Sequence, residues 1–364
     1  MSQFGYQKIA DAVLEKIASG MLKRGDKLPT ELELCEQYGV SRITVQKAMK
    51  QLSEQRIIYR ISGKGTFVGE APAAVLGEKR LIGLVLCSFS AAFGMDIIRA
   101  VEKTADKLGF SVILKNSYFD VNKEKEIISL LLRLNVAGII IQPVPDELYN
   151  PELIKLTLGG FPIVTLDREI NGFSIPFIGS DNYRSAEIAT KFLLDKGHRN
   201  ICMFVGHMHN TSSLRERMDG FKRQCAQYGV VADESSFFTE IYSTQMGNVT
   251  QADVRADIER VKDFLQKRPD ITCAFASEYA ISRIIRSSCR ELGKRIPEDF
   301  SIITFDNHND IFRRNQTTYM RQRQDLIGES SVEAIYKLLR GESVPRSKLF
   351  DAEIIDNGSV ADCR

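Results

Sequence analysis

Between Ser41 and Gly65 the chain sets out side chains that could read a polyanion through its hydrogen-bonding edges. Arg42 offers a donor fork suited to guanine, Gln46 a donor and acceptor suited to adenine, and Thr44 a methyl suited to thymine. Lys47 and Lys50 are point charges better matched to phosphate. Gly63 and Gly65 flank Lys64, so a turn tip there could approach a duplex closely with one cation at its apex. Across residues 41–69, Arg42, Lys47, Lys50, Arg56, Arg60 and Lys64 are opposed by Glu54 alone. A solvated charged face would carry the same residues, so their meaning depends on the elements that present them.

Those elements can be read locally. Tyr6 to Ser19 sets Ile9, Val13, Leu14 and Ile17 on one helical stripe, with Gly20 at its end. Thr30 and Glu33 form a capping box that starts a second helix through Leu34 and Tyr38. Gly39-Val40 gives a tight turn, and Ser41 caps a third helix reaching about Ser53, with Ile43, Val45, Ala48, Met49 and Leu52 facing inward. Two helices joined by so short a turn make a helix-turn-helix. Ile57–Ile61 and Thr66–Val68 then read as strands around the turn at Ser62–Gly65, a hairpin that forms a wing.

The whole chain of 364 residues is 43% hydrophobic and 26% charged, which predicts a globular protein of two or three domains. No apolar run is long enough to span a bilayer, and Met1–Asp11 lacks a secretory pattern, so a cytoplasmic location is expected with no membrane partner. The seven cysteines form no CxxC pair and are expected to be reduced and buried. The net charge of +2 hides an asymmetry: residues 1–70 carry 11 basic against 8 acidic side chains, the remainder 38 against 39. Residues 70–79 contain Pro, Gly and small side chains without periodicity and read as a linker between residues 1–69 and 80–364.

From Leu81 onward short apolar runs alternate with amphipathic stretches, the signature of an α/β fold with parallel sheets flanked by helices. Ligands of such folds sit at the carboxyl ends of the strands. The corresponding loops begin at Ser88, Asn116, Gln142, Asp167, Gly206, Ser277 and Asp306. They and their neighbours present Phe93, Asp167, Arg168, Arg217, Ser277, Glu278, Asp306 and Gln322. Carboxylates and guanidinium forks beside an aromatic face suit a polyhydroxylated ligand. Structural salt bridges such as Asp167 with Arg168 are the plainer alternative. No nucleophile elbow, HExxH, phosphate loop or GxGxxG motif supports an enzyme. His207 and His209 alone do not make a metal site, and neither metal nor cofactor is expected.

The strings Leu28-Pro29-Thr30-Glu31, Tyr38-Gly39-Val40-Ser41-Arg42-Ile43-Thr44-Val45 and Gly63-Lys64-Gly65-Thr66-Phe67-Val68 resemble the GntR family of winged-helix regulators. That resemblance implies DNA contacts at Glu31, Ser41, Arg42, Thr44, Gln46, Gly63, Lys64 and Gly65. The chain departs from the family pattern at Gln46, commonly Arg, and at Arg56, commonly Gly.

Residues 80–355 resemble the LacI/GalR-type sensor, itself similar to periplasmic sugar-binding proteins. The matching pieces include Ala137-Gly138-Ile139-Ile140-Ile141, Pro162-Ile163-Val164-Thr165-Leu166-Asp167-Arg168, Arg217-Met218-Asp219-Gly220-Phe221 and Ile296-Pro297-Glu298-Asp299-Phe300. A two-lobed, periplasmic-binding-protein-like domain is implied, with effector positions at Phe93, Asp167, Arg168, Arg217, Asp306 and Gln322. Ser277-Glu278 stands where an Asn-Asp pair is usual.

The combination resembles arabinose-responsive repressors and implies a homodimer on double-stranded operator DNA, released by a monosaccharide such as L-arabinose. A nucleoside-sensing regulator is the alternative. A solute-binding transport protein, or a pyridoxal-phosphate enzyme fused to the same DNA-binding module, fits less well.

Overall fold

The computed structural model describes residues 5–18, 21–23, 25–54, 57–69, 80–144, 150–170, 172–207, 211–245, 249–308 and 317–363. The chain divides into two compact units, Met1–Arg80 and Leu81–Arg364. Residues 70–79, expected to be a linker, and Arg56 lie outside the described residues.

In the first unit α1 (Gly5–Ala18), α2 (Glu31–Tyr38) and α3 (Arg42–Glu54) precede the hairpin of β1 (Ile58–Ile61) and β2 (Gly65–Val68). The capping box forms as expected: the Thr30 hydroxyl accepts from Glu33 N, while the Glu33 carboxylate accepts from Thr30 N at 2.7 Å. Gly39 ends α2 in the left-handed region at φ 62°, the conformation glycine adopts most easily. Val45, Ala48, Met49 and Leu52 line one stripe of α3 and meet Ile9, Val13 and Ile17 of α1 in one core. Ile43 was expected to join them and does not, being 78% exposed. Two residues before Val45 it lies about 200° around the helix from the buried stripe.

The second unit holds two six-stranded sheets. The first contains β3 (Arg80–Leu86), β4 (Phe110–Asn116), β5 (Gly138–Ile141), β6 (Ile163–Leu166), β7 (Phe177–Ser180) and β13 (Ser347–Phe350), in the order β13-β7-β6-β5-β3-β4. The second contains β8 (Ile201–Gly206), β9 (Phe237–Ile241), β10 (Cys273–Ala276), β11 (Ser301–Phe305), β12 (Thr318–Arg321) and β14 (Glu353–Ile355), in the order β14-β12-β11-β10-β8-β9. The two orders correspond strand for strand, a duplication that the residue sequence does not display. They differ at the outer edge, where β13 runs parallel to β7 and β14 antiparallel to β12.

Strand periodicity builds a core on each side of each sheet. Ile201, Met203 and Val205 of β8 enter one cluster, and Cys202 and Phe204 enter the cluster on the opposite face. Ile140 of β5 packs likewise on one side, with Ile139 and Ile141 on the other. All seven cysteines are free; five are buried, but Cys35 and Cys363 are only half-buried, short of the expected burial.

Three connections join the lobes. The chain leaves β7 for α7 (Asn182–Asp195), returns from β12 to α11 (Gln324–Leu339), and crosses again from β13 to β14. α7 packs with the second lobe through Ala186, Ala189 and Leu193, and α11 with the first through Ile327, Val332 and Ile335. Both rest on close helix crossings. Gly220 of α8 (Ser212–Gln227) lies where a Cβ would run into the Tyr183 carbonyl of α7. Gly328 of α11 lies where one would approach Ile97 O of α4 (Met95–Lys107) to 2.7 Å. Gly220→Ala is therefore expected to destabilise the protein by about 1–3 kcal/mol despite alanine's higher helix propensity. Thermal unfolding checks this; an unchanged or raised midpoint would contradict so close a crossing.

Candidate functional site

In the first unit the expected residues lie at the start of α2, at and along α3, and in the wing turn. Ser41 precedes α3, its hydroxyl 2.9 Å from Thr44 Oγ1, and Arg42, Gln46 and Lys47 are exposed along the helix. Lys47 Nζ lies 4.3 Å from the ring centroid of Tyr6, a cation–π contact with α1. Gly63 and Gly65 take φ of 72° and 124°, and Lys64 N donates to Ile61 O to close the wing turn. Glu31, the first residue of α2, accepts from Gln46 Nε2 at 3.1 Å and Arg42 Nε at 3.4 Å. Arg60 of β1, absent from the expected contacts, faces the same carboxylate at 3.6 Å. Ile43 is exposed on α3; its type had suggested the core, whereas its helical phase marks it as external.

The second unit contains a cavity of about 610 Å³ bounded by residues from both lobes, and all eight expected effector residues line it. Five of the seven expected loops reach it with their first residue, those at Ser88, Gln142, Asp167, Ser277 and Asp306. Gly206 does not, although Thr211 and Ser213 of the segment that follows do, and Asn116 borders a different hollow.

Asp167 and Asp306 occupy corresponding places, one residue beyond β6 and β11, with φ of 62° and 56°. Both side chains are buried, and Asp is among the residues that tolerate this conformation. Gln142 Nε2 donates to Asp167 Oδ2 at 2.7 Å. Gln322 Nε2 donates to Asp306 Oδ2 at 2.6 Å, while its Oε1 accepts from Ser180 Oγ at 2.6 Å. Gln322 thus ties the cavity to two inter-lobe connections. Burial, only partly offset by the Arg217 guanidinium, pushes the Asp306 carboxyl up to about 7.

Arg217 is 6% exposed; its Nε donates to Asn182 Oδ1 at 2.8 Å and its Nη1 to Ser277 O at 2.7 Å. Its guanidinium lies 3.8 Å from the Phe305 ring centroid. Burial lowers its pKa, opposed by Asp167, Asp306 and Glu278. Arg168 donates through Nη1 to Pro143 O at 3.2 Å and faces the Phe119 ring. Its Nε is 3.9 Å from Asp167, an ion pair too long to be a hydrogen bond. Glu278 precedes α10 (Tyr279–Glu291) without capping it, and burial raises its pKa.

Among the described residues, Arg168 Nε, Thr244 Oγ1, Ser277 Oγ and Glu278 Oε1 are buried side-chain polar atoms without a partner at good hydrogen-bond geometry, although the Thr244 hydroxyl lies beside the Glu278 carboxyl and partly offsets the rise that burial gives it. All four residues line this cavity. Buried polar atoms are ordinarily satisfied, so these four set the cavity wall apart from the surrounding core. Together they offer a donor, an acceptor and two hydroxyls, and the same wall carries three guanidinium groups (Arg168, Arg217, Arg283) and three carboxyls (Asp167, Glu278, Asp306). Donors and acceptors side by side suit a ligand rich in hydroxyl groups, which can both donate and accept.

Gln142 and Thr244 were not among the expected site residues. A strand-end position was the one available signal for Gln142, and nothing in the sequence pointed to Thr244. His207 packs on the Tyr242 ring at 4.4 Å, and His209 lies outside the described residues.

A winged helix-turn-helix unit combined with a two-lobed unit enclosing a polar cavity defines a ligand-responsive DNA-binding transcription regulator rather than an enzyme. Residues 5–68 match bacterial regulatory proteins of the gntR family, and residues 82–343 match the periplasmic binding protein domain. The chain belongs to the periplasmic-binding-protein family over most of its length, with a gntR-family regulatory domain at its N-terminal end.

Two relatives are similar over most of the chain. The arabinose metabolism transcriptional repressor of Geobacillus stearothermophilus is 27% identical, with 94% of this chain and 93% of that protein aligned. The arabinose metabolism transcriptional repressor of Halalkalibacterium halodurans is 25% identical over 83% and 80% of the respective chains. Among solved structures, the transcription regulator CcpA of Lactococcus lactis superimposes with a TM-score of 0.66 at 24% identity, covering 78% of this chain and 99% of that one. No helix among the described residues is long and apolar enough to cross a membrane.

Proposed function

We propose that the protein is a cytoplasmic transcriptional repressor that binds a pseudo-palindromic operator as a homodimer and releases it on binding a neutral monosaccharide, L-arabinose being the first candidate. The observation that carries the sugar assignment is the set of four buried polar atoms in the cavity wall without a partner at good hydrogen-bond geometry. The arabinose repressor of Geobacillus stearothermophilus supports it by likeness over 94% of the chain. In this reading α3 enters the major groove with Arg42, Thr44 and Gln46 toward base edges, Ile43 meets a thymine methyl, and Lys47 and the wing meet the backbone.

A thermal-shift panel of pentoses, hexoses and nucleosides tests the effector class, since a ligand at 100 times its Kd stabilises by about 2.7 kcal/mol. A large shift with a pentose or hexose supports the proposal. Shifts confined to nucleosides would replace it with a second reading, which Phe89, Phe93, Phe119 and Tyr279 in the cavity wall favour through base stacking.

The raised Asp306 carboxyl adds a pH dependence with two opposite signs. Without ligand, ionising this buried group costs folding free energy. Its contribution to stability is thus greatest below the unfolded carboxyl value near 4 and is lost as pH rises through about 7. A sugar hydroxyl donating to the carboxylate prefers the ionised form, so effector affinity is expected to rise about tenfold from pH 6 to pH 8 and then level off. Calorimetric titration at several pH values checks this, and a flat profile would remove Asp306 from the effector contacts.

A further inference from the structure

Glu31 opens α2, yet its carboxylate is turned toward α3. Oε2 accepts from both Gln46 Nε2 and Arg42 Nε, and Oε1 faces Arg60 of the wing. The Glu31 side chain is 21% exposed, against 75% for Arg42 and 76% for Arg60. One acid therefore sits against two of the groups expected to face DNA, Arg42 and Gln46 on the helix, and against Arg60 on the hairpin.

The chemistry of this contact fixes the Gln46 amide. A carboxylate oxygen only accepts, so the amide edge turned to Glu31 has to be the NH2. An unconstrained glutamine has two N–H donors and one carbonyl acceptor. It can serve adenine with one of each, at N7 and N6, or offer two donors to guanine at N7 and O6. With one N–H committed to Glu31, Gln46 retains one donor and one acceptor. That set matches adenine and lacks the second donor guanine requires.

We propose that Glu31 is a positioning residue for base selection, holding the Gln46 amide so that the protein favours adenine over guanine at the base pair Gln46 meets. The inference rests on the reading of α3 as the recognition helix. It explains why an acid can stand close to a polyanion: its charge is covered by Arg42 and Arg60, and its role is exercised through Gln46.

The test uses the full-length protein and its E31A, E31D, E31Q and Q46A variants, each selected against a randomised duplex DNA library. Affinities are then measured for the four base pairs at every position of the selected site. The position at which Q46A loses discrimination identifies the pair read by Gln46. There the parent chain is expected to prefer adenine over guanine about tenfold or more, and E31A by no more than about threefold. E31D, one methylene too short to reach the amide, should behave like E31A and serves in its place should E31A fail to fold. E31Q keeps a carbonyl that can accept from Gln46 and should retain most of the preference. An unchanged adenine preference in both E31A and E31D would overturn the inference while leaving the recognition helix in place, as would a parent chain that prefers guanine. A selected site unaltered by Q46A would overturn both.

Discussion

Arg217→Met is expected to abolish effector binding within a hundredfold range of ligand and to lower the stability of the sensing unit by about 3–5 kcal/mol. The side chain is nearly completely buried, and it satisfies Asn182 and the Ser277 carbonyl at 2.8 and 2.7 Å. It is also the buried cation whose charge holds down Asp306, with Asp167 and Glu278 acting on it in turn. Methionine replaces the stem but removes the guanidinium that lies over Phe305, and it leaves three carboxyl groups without that compensation. Ionisation of Asp306 and Glu278, already disfavoured by burial, then becomes still more costly, so the variant should lose more stability at pH 8 than at pH 6. Thermal unfolding at both pH values, with and without sugar, reads this directly. Full stability with lost ligand response would show that Arg217 contacts ligand without organising the cavity, and full response would remove it from the site.

Arg42→Ala is expected to weaken operator binding by about 5- to 150-fold, the range for a bidentate arginine–guanine contact. Arg42 is the first residue of α3, exposed and directed by Glu31, which favours a base edge over a freely moving phosphate contact. Arg42→Lys separates charge from shape. It should restore much of the salt-dependent, sequence-independent binding while leaving discrimination impaired, because an ammonium cannot reproduce the planar fork. Competition titrations with specific and random DNA at two salt concentrations distinguish these effects. Equal loss on both DNAs would assign Arg42 to phosphate.

The parts legible in the sequence are those where periodicity and capping act locally. Thr30 with Glu33, Gly39 and the Val45-Ala48-Met49-Leu52 stripe place α2 and α3 correctly, and the same spacing shows why Ile43 faces out. In the sensing unit the central strands are continuous apolar runs because both faces are covered, so β5, β6, β8, β10 and β11 stand out. The return through the lobes is not legible in this way. α11 buries Gln324, Gly328, Ser330 and Ser331 among its apolar residues, which blurs any stripe. β13 is an edge strand whose Ser347, Lys348 and Leu349 are exposed.

The site divides along the same line. Asp167, Asp306 and Gln142 each follow an apolar strand, but only the two acids also carry a charge that singles them out, whereas Thr244 acquires its place from a loop folded by long-range contacts. Thr244 follows Ser243, whose N–H is held at 2.8 Å by the buried Asp257 carboxylate, a contact between residues 14 positions apart. Gln142 is clamped between Cys87 N and Asp167. Neither partner can be inferred from local spacing.

The central claim is that one ligand-filled cavity controls one DNA-binding face, and thermodynamic linkage requires such control to be reciprocal. The most direct measurement is the affinity of the purified protein for its selected operator with and without saturating sugar, paired with its sugar affinity with and without saturating operator. The expected result is a loss of about 5- to 150-fold in each, equal within error. Operator affinity unaffected by a sugar that demonstrably binds the cavity would contradict the account.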